Sequence, residues 1–142
     1  MSNVSVQIDA RGARFSALIT AIVFSVALLT QSSALILWQA AVFAIGAFRG
    51  PQFTPYAVIF KKLIKPLLKS AATSEDVRPP QFAQAVGLGF ALVAVIASVT
   101  GAGEVFTVAV GFALAAAFLN AAFNFCLGCQ MYLLILRART AK

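Results

Sequence analysis

The only thiols in this chain are Cys126 and Cys129, three positions apart in "FCLGCQ". A CxxC pair can pass between dithiol and disulfide with little backbone change, so the chemistry it offers is thiol redox or sulfur carriage. In that chemistry Cys126 attacks and Cys129 resolves. Zinc takes four ligands, and with no histidine in the chain a metal would need a second polypeptide, so no metal and no cofactor are expected. Four acidic residues and no histidine also leave few general acids or bases. The bland alternative is two packing cysteines in an apolar helix. A structural disulfide conflicts with a reducing cytoplasm.

Which reading holds depends on where a helix begins. Late in one long helix the sulfurs meet its negative end and an apolar surround, and both disfavour thiolate. A new helix starting near Phe125 or Leu127 would put the same pair at a positive end. A straight helix from Val105 to Arg137 would run about 50 Å, too long for a hydrocarbon core of about 30 Å, so a break is predicted, with Asn124 and Gly128 the candidates. Asn120 and Asn124 share a helix face. With Gln81, Gln84 and Gln130 they form a candidate polar pocket around the sulfurs. The competing role for these amides is to join helices by hydrogen bonds.

The elements that would carry these residues are apolar. Of 142 residues, 61% are hydrophobic and 11% charged, which implies a bilayer as solvent. The pattern predicts an all-α membrane protein of one domain, with four transmembrane helices as two αα-hairpins. Spans are expected at about residues 15–31, 33–49, 82–100 and 105–125. All eleven Lys and Arg fall before the first span, from the Arg49 end of the second to the start of the third, or after the fourth. By the positive-inside rule, both termini and the 50–81 loop are cytoplasmic in a multi-pass protein of the inner (plasma) membrane. "RFSALITAIVFSVALL" and "QFAQAVGLGFALVAVI" open alike, which suits a duplicated hairpin.

Within the loop, Thr54 is a fit N-cap and Pro55 a fit first residue for an amphipathic helix over 55–69, which Pro66 should kink. Its apolar positions Ile59, Phe60, Leu63, Leu67 and Leu68 oppose Lys61, Lys62, Lys65 and Lys69. The expected partner is anionic inner-leaflet lipid, at about 1 kcal/mol per lysine, and not nucleic acid. "AATSEDVRPP" is expected to be a polar linker, and 126–142 a C-terminal interfacial segment burying Met131, Leu133, Leu134 and Leu136.

Four segments, "IDARGARF", "PYAVIFKKLIKP", "PPQFAQAVGLGFALV" and "AAAFLNAAFNFCLGCQMYLL", resemble a family of small actinobacterial membrane proteins catalogued as domain of unknown function 4395. The resemblance implies four spans with a CxxC at the end of the last, Cys126 and Cys129 here, and thioredoxin-like or sulfurtransferase-type proteins as partners. Gln130 departs from the charged residue expected after the second cysteine. Two functions are therefore expected. One is a cytoplasmic-face thiol-redox or sulfur-relay module working with a thioredoxin- or rhodanese-like protein. The other is a non-enzymatic accessory subunit of a larger membrane complex or homo-oligomer. Transport of a sulfur anion would need oligomerisation.

Overall fold

The computed structural model describes residues 7–68, 74–123 and 125–140. Strand β1 (Gln7–Asp9) leads into α1 (Ala10–Thr30), and Asp9 caps that helix by accepting from the Arg11 N–H. Gln31 ends α1 in the left-handed region, and its N–H donates to the Ala27 carbonyl. Ser32 then caps α2 (Ser33–Phe48). Such caps satisfy peptide groups that a helix end leaves without a partner.

Thr54 caps α3 (Pro55–Ile59) with Pro55 at its start, as the sequence predicts. The helix then loosens into a π-turn (Phe60–Ile64) and tightens into a 3-10 turn (Lys65–Leu67). Pro66 explains the change of pitch. It has no N–H for the Lys62 carbonyl and its ring crowds that oxygen. Strand β2 (Ser74–Asp76) pairs antiparallel with β1, with Ile8 opposite Glu75. The linker expected here thus contains a strand, and among the described residues one two-stranded ladder accompanies the helices. Helix α4 (Arg78–Thr100) follows and ends on Gly101, whose positive φ needs no Cβ to be avoided. Helices α5 (Gly103–Phe123) and α6 (Leu127–Thr140) complete the chain.

Helices α1, α4 and α5, of 21, 23 and 21 residues, are long and apolar enough to cross a membrane. Helix α2 has 16 residues and is shorter. The outward faces carry Leu18, Ile22, Leu29, Leu37, Ile96 and Phe112, all exposed. That inverts a soluble surface and suits lipid.

The two most extensive helix interfaces, α2 with α4 and α1 with α5, each join the two halves of the chain. Small residues permit them. A Cβ added at Gly87 would lie 2.8 Å from the Phe43 ring, and one at Gly46 2.6 Å from Gln84. Where lipid is as apolar as leucine, such close contact supplies the attraction between helices.

The core repeats. Ala21, Phe24 and Ala27 of α1 are buried, and so are Ala91, Ala94 and Ala97 of α4, seventy positions on. Ile36, Gln39, Ala40 and Phe43 of α2 match Phe106, Ala109, Val110 and Ala113 of α5 in the same way. Helix α3 rests on α1 as α6 rests on α4. The Phe15–Phe60 and Phe82–Tyr132 ring pairs both stand at 5.7 Å. The antiparallel pairing of β1 with β2 suits the same division of the chain into two halves. The repeating unit is therefore larger than the hairpin expected from sequence: one strand and three helices.

Candidate functional site

Helix α5 runs to Phe123 and α6 starts at Leu127, with Cys126 just before that start and Cys129 in its first turn. Cys126 immediately precedes α6. Its Sγ accepts from the Cys129 N–H at 3.1 Å, and its carbonyl accepts from the Gln130 N–H at 3.0 Å. Cys126 thus stands where an N-cap stands, at the positive end of a fourteen-residue helix. The two cysteines are joined as a disulfide, with Cα atoms 5.1 Å apart. Both are half-buried. The sequence set a structural disulfide against a reducing cytoplasm; in this structure the pair is in its oxidised form, which the helix-start geometry accommodates.

Three contacts hold the break. Phe125 N–H donates to the Leu119 carbonyl, 3.2 Å away. Arg14 Nη2 donates to the Ala121 carbonyl at 2.9 Å, covering an oxygen that the last turn of α5 leaves without a partner. Gly128 lies so close to α4 that a Cβ there would meet Ala83 Cα at 2.6 Å. Gly128 is therefore not the hinge expected from sequence. It sits inside α6 and sets how near the CxxC helix comes to α4.

The glutamines expected around the sulfurs turn elsewhere. Gln81 Nε2 donates to the Ala47 carbonyl at 2.8 Å, and Gln84 packs on Gly46, so both face α2. Gln81 thus bridges helices by a hydrogen bond, the competing role for such amides, whereas Gln84 Oε1 is buried without a hydrogen-bond partner among the described residues. Gln130 is exposed and Asn120 half-buried. Asn124 and Lys69 lie outside the described residues. Lys61, Lys62 and Lys65 are exposed, and Lys65 Nζ reaches Asp9 at 3.6 Å. Phe60, expected to face lipid, is instead buried against Phe15 and Gly12. The reason is the π-turn and the glycine beneath the ring. Met131, Leu133, Leu134 and Leu136 are exposed on α6, which packs on α4. Among the described residues no group of three or more His, Cys, Asp and Glu could hold a metal ion.

Sequence reasoning missed one polar constellation. Trp38 Nε1–H donates to Tyr56 OH (2.8 Å), Tyr56 O–H donates to Gln39 Oε1 (2.8 Å), and Gln39 Nε2–H donates to Thr20 Oγ1 (3.3 Å). Gln39 is fully buried. Burial pushes the Tyr56 hydroxyl above its ordinary pKa, so it stays a donor. The signal was present, since Gln39 is the lone amide between Ala34 and Phe48.

The family model described as "Domain of unknown function (DUF4395)" matches residues 8–137. The chain belongs to this family. No curated protein and no solved structure matches it. The DUF4395 match runs from β1 into α6, so it takes in both halves of the repeat and both cysteines.

Proposed function

We propose that this chain is a membrane-embedded thiol–disulfide exchange module whose CxxC works with a thioredoxin-like protein. The observation that carries the reading is Cys126 at the N-terminus of α6, half-buried and bonded to Cys129. A helix N-terminus favours thiolate over thiol, and partial exposure admits a partner. In the reduced chain, Cys126 thiolate attacks a partner disulfide, forming a mixed disulfide and releasing one partner thiolate. Cys129 thiolate then attacks the Cys126 sulfur, closing the pair and releasing the second. Two electrons reach the partner, and two protons follow. With a rhodanese-like persulfide as donor, Cys126 would take the outer sulfur and Cys129 would release it as hydrosulfide, closing the same bond.

Helices α1, α2, α4 and α5 all cross the bilayer in this reading, α2 at a thinned or tilted site. Contacts between Lys65 and Asp9 and between Arg14 and Ala121 gather the cationic segments at one end of the bundle. The positive-inside rule makes that end cytoplasmic, together with both termini.

The test is a trapped intermediate. Cys129→Ser should accumulate a mixed disulfide through Cys126 with an oxidised dithiol protein, and Cys126→Ser should not. If neither cysteine is reduced or labelled by maleimide in cells under any redox condition, exchange is ruled out and the bond is structural.

One observation favours a second reading, an accessory subunit of a larger complex. Helix α6 has no buried residue and exposes Leu133, Leu134, Ile135 and Leu136. A stoichiometric partner retained by a chain lacking both cysteines would support it.

A further inference from the structure

A cavity of about 310 Å³ opens at the start of α1, between that helix, the segment after α3 and the end of α5. Its polar rim is Arg11 and Arg14, and its walls are Phe15, Leu18, Phe60 and Leu68. Arg14 is exposed. Its one hydrogen bond among the described residues, to the Ala121 carbonyl, occupies a single N–H of a five-donor guanidinium. Arg11 is paired with Asp9, which also meets Lys65. The walls open outward, with Leu18 and Leu68 half exposed or nearly so.

We propose that this cavity binds one anionic phospholipid, its phosphate on Arg14 and Arg11 and its proximal acyl carbons between Phe15, Leu18 and Leu68. The exposed Arg14 guanidinium at one end and an apolar, outward-opening wall at the other match an amphiphile rather than a soluble anion. Guanidinium suits phosphate because its N–H groups form a planar fork. The inference rests on the proposed membrane orientation and not on the cysteine chemistry.

The experiment uses the full chain in detergent and native mass spectrometry with phosphatidylglycerol, phosphatidylcholine or inorganic phosphate. Wild type should retain one phosphatidylglycerol in preference to phosphatidylcholine by about tenfold, the size of one charge-assisted contact. Arg14→Gln should lose that preference while keeping a donor for the Ala121 carbonyl, as Gln81 does for Ala47. Leu68→Glu, at an exposed wall position, should lose it as well and decides the matter if Arg14→Gln does not fold. Equal retention of the two lipids, unchanged preference in both variants, or full displacement by inorganic phosphate would each overturn the proposal. None of these outcomes touches thiol exchange, which is read separately by the trapped mixed disulfide.

Discussion

Thr54–Ala57 and Cys126–Cys129 open equivalent helices in the two halves of the chain, and in each the first side chain accepts a hydrogen bond from the N–H three residues on, at 3.3 and 3.1 Å. Their surroundings differ. Thr54 is 2% exposed and Tyr56 beside it is locked to Trp38 and Gln39. Cys126 is half-buried, and the residue matching Tyr56 is Gly128. One scaffold position thus serves as a buried clasp in the first half and as an accessible disulfide in the second. What decides is the third residue: a large one reaches into the bundle, and a glycine brings the helix against α4 and leaves the sulfurs at its rim.

Making the second site like the first should have the largest effect. Gly128→Tyr adds a ring where even a Cβ would stand 2.6 Å from Ala83 Cα. Helix α6 must then leave α4, at a cost of about 3 kcal/mol, the upper end for overpacking. Amide exchange across residues 127–132 should rise while that of α1 stays unchanged. Equal protection in variant and wild type would mean that Gly128 does not govern the docking. The converse exchange, Thr54→Cys with Ala57→Cys in a chain lacking the native pair, should also form a disulfide. After reduction, the buried thiol at position 54 should react with maleimide about a hundredfold more slowly than its counterpart Cys126, the factor set by an opening step of roughly 2.7 kcal/mol. Similar rates would erase the distinction between clasp and access point.

How much of this contrast could be read in the sequence follows from the range of the forces involved. Thr54 with Pro55 is a local signal, and it gave the start of α3 correctly. The break before the cysteines followed from length alone, and α6 does begin at Leu127. Gly128 was misread because a helical glycine reports either loose backbone or close approach, and only the neighbouring helix tells which. Gln81 and Gln84 were assigned to the sulfurs because they share a level with them. Their direction is set by which face of α4 meets α2, and alanine-rich helices offer several nearly equivalent faces. The β1–β2 ladder joins segments too short and too distant to show a pattern. The repeat in burial was hidden because different residues fill the same positions, Gln39 matching Ala109 and Phe43 matching Ala113.

The clasp itself should break at the hydroxyl. Tyr56→Phe leaves Gln39 Oε1 buried and unpaired, which costs about 2 kcal/mol. Trp38 is the chain's one tryptophan and would lose its acceptor, so a shift in its emission should accompany the fall in thermal stability. Unchanged emission would place that hydrogen bond outside the folded state in solution. Thr54→Ala should cost less, about 1 kcal/mol, the usual value of an N-cap. It should leave Trp38 emission as it was, because the network does not pass through Thr54.

The smallest difference between the halves lies at their first carboxylates. Asp9 and Asp76 each accept from the N–H and the side chain of the arginine two positions on. Those side-chain hydrogen bonds are the main reason both carboxyls are held below the ordinary value of 3.8. Asp9 has Lys65 as well and is the more enclosed, its side chain 12% exposed against 31% for Asp76. A carboxylate with a depressed folded pKa adds stability that is present above its unfolded pKa and is lost as pH falls through the folded one. Acidification from pH 7 to below the ordinary carboxylate range should therefore loosen the contact of the α3 segment with α1, which runs through Lys65 and Asp9. Each ion pair is near the surface, where solvent screens it and keeps its contribution small. Asp9→Asn should remove most of this acid dependence and Asp76→Asn little of it. Equal effects of the two substitutions would show that Lys65 adds nothing and that the halves are alike at this end.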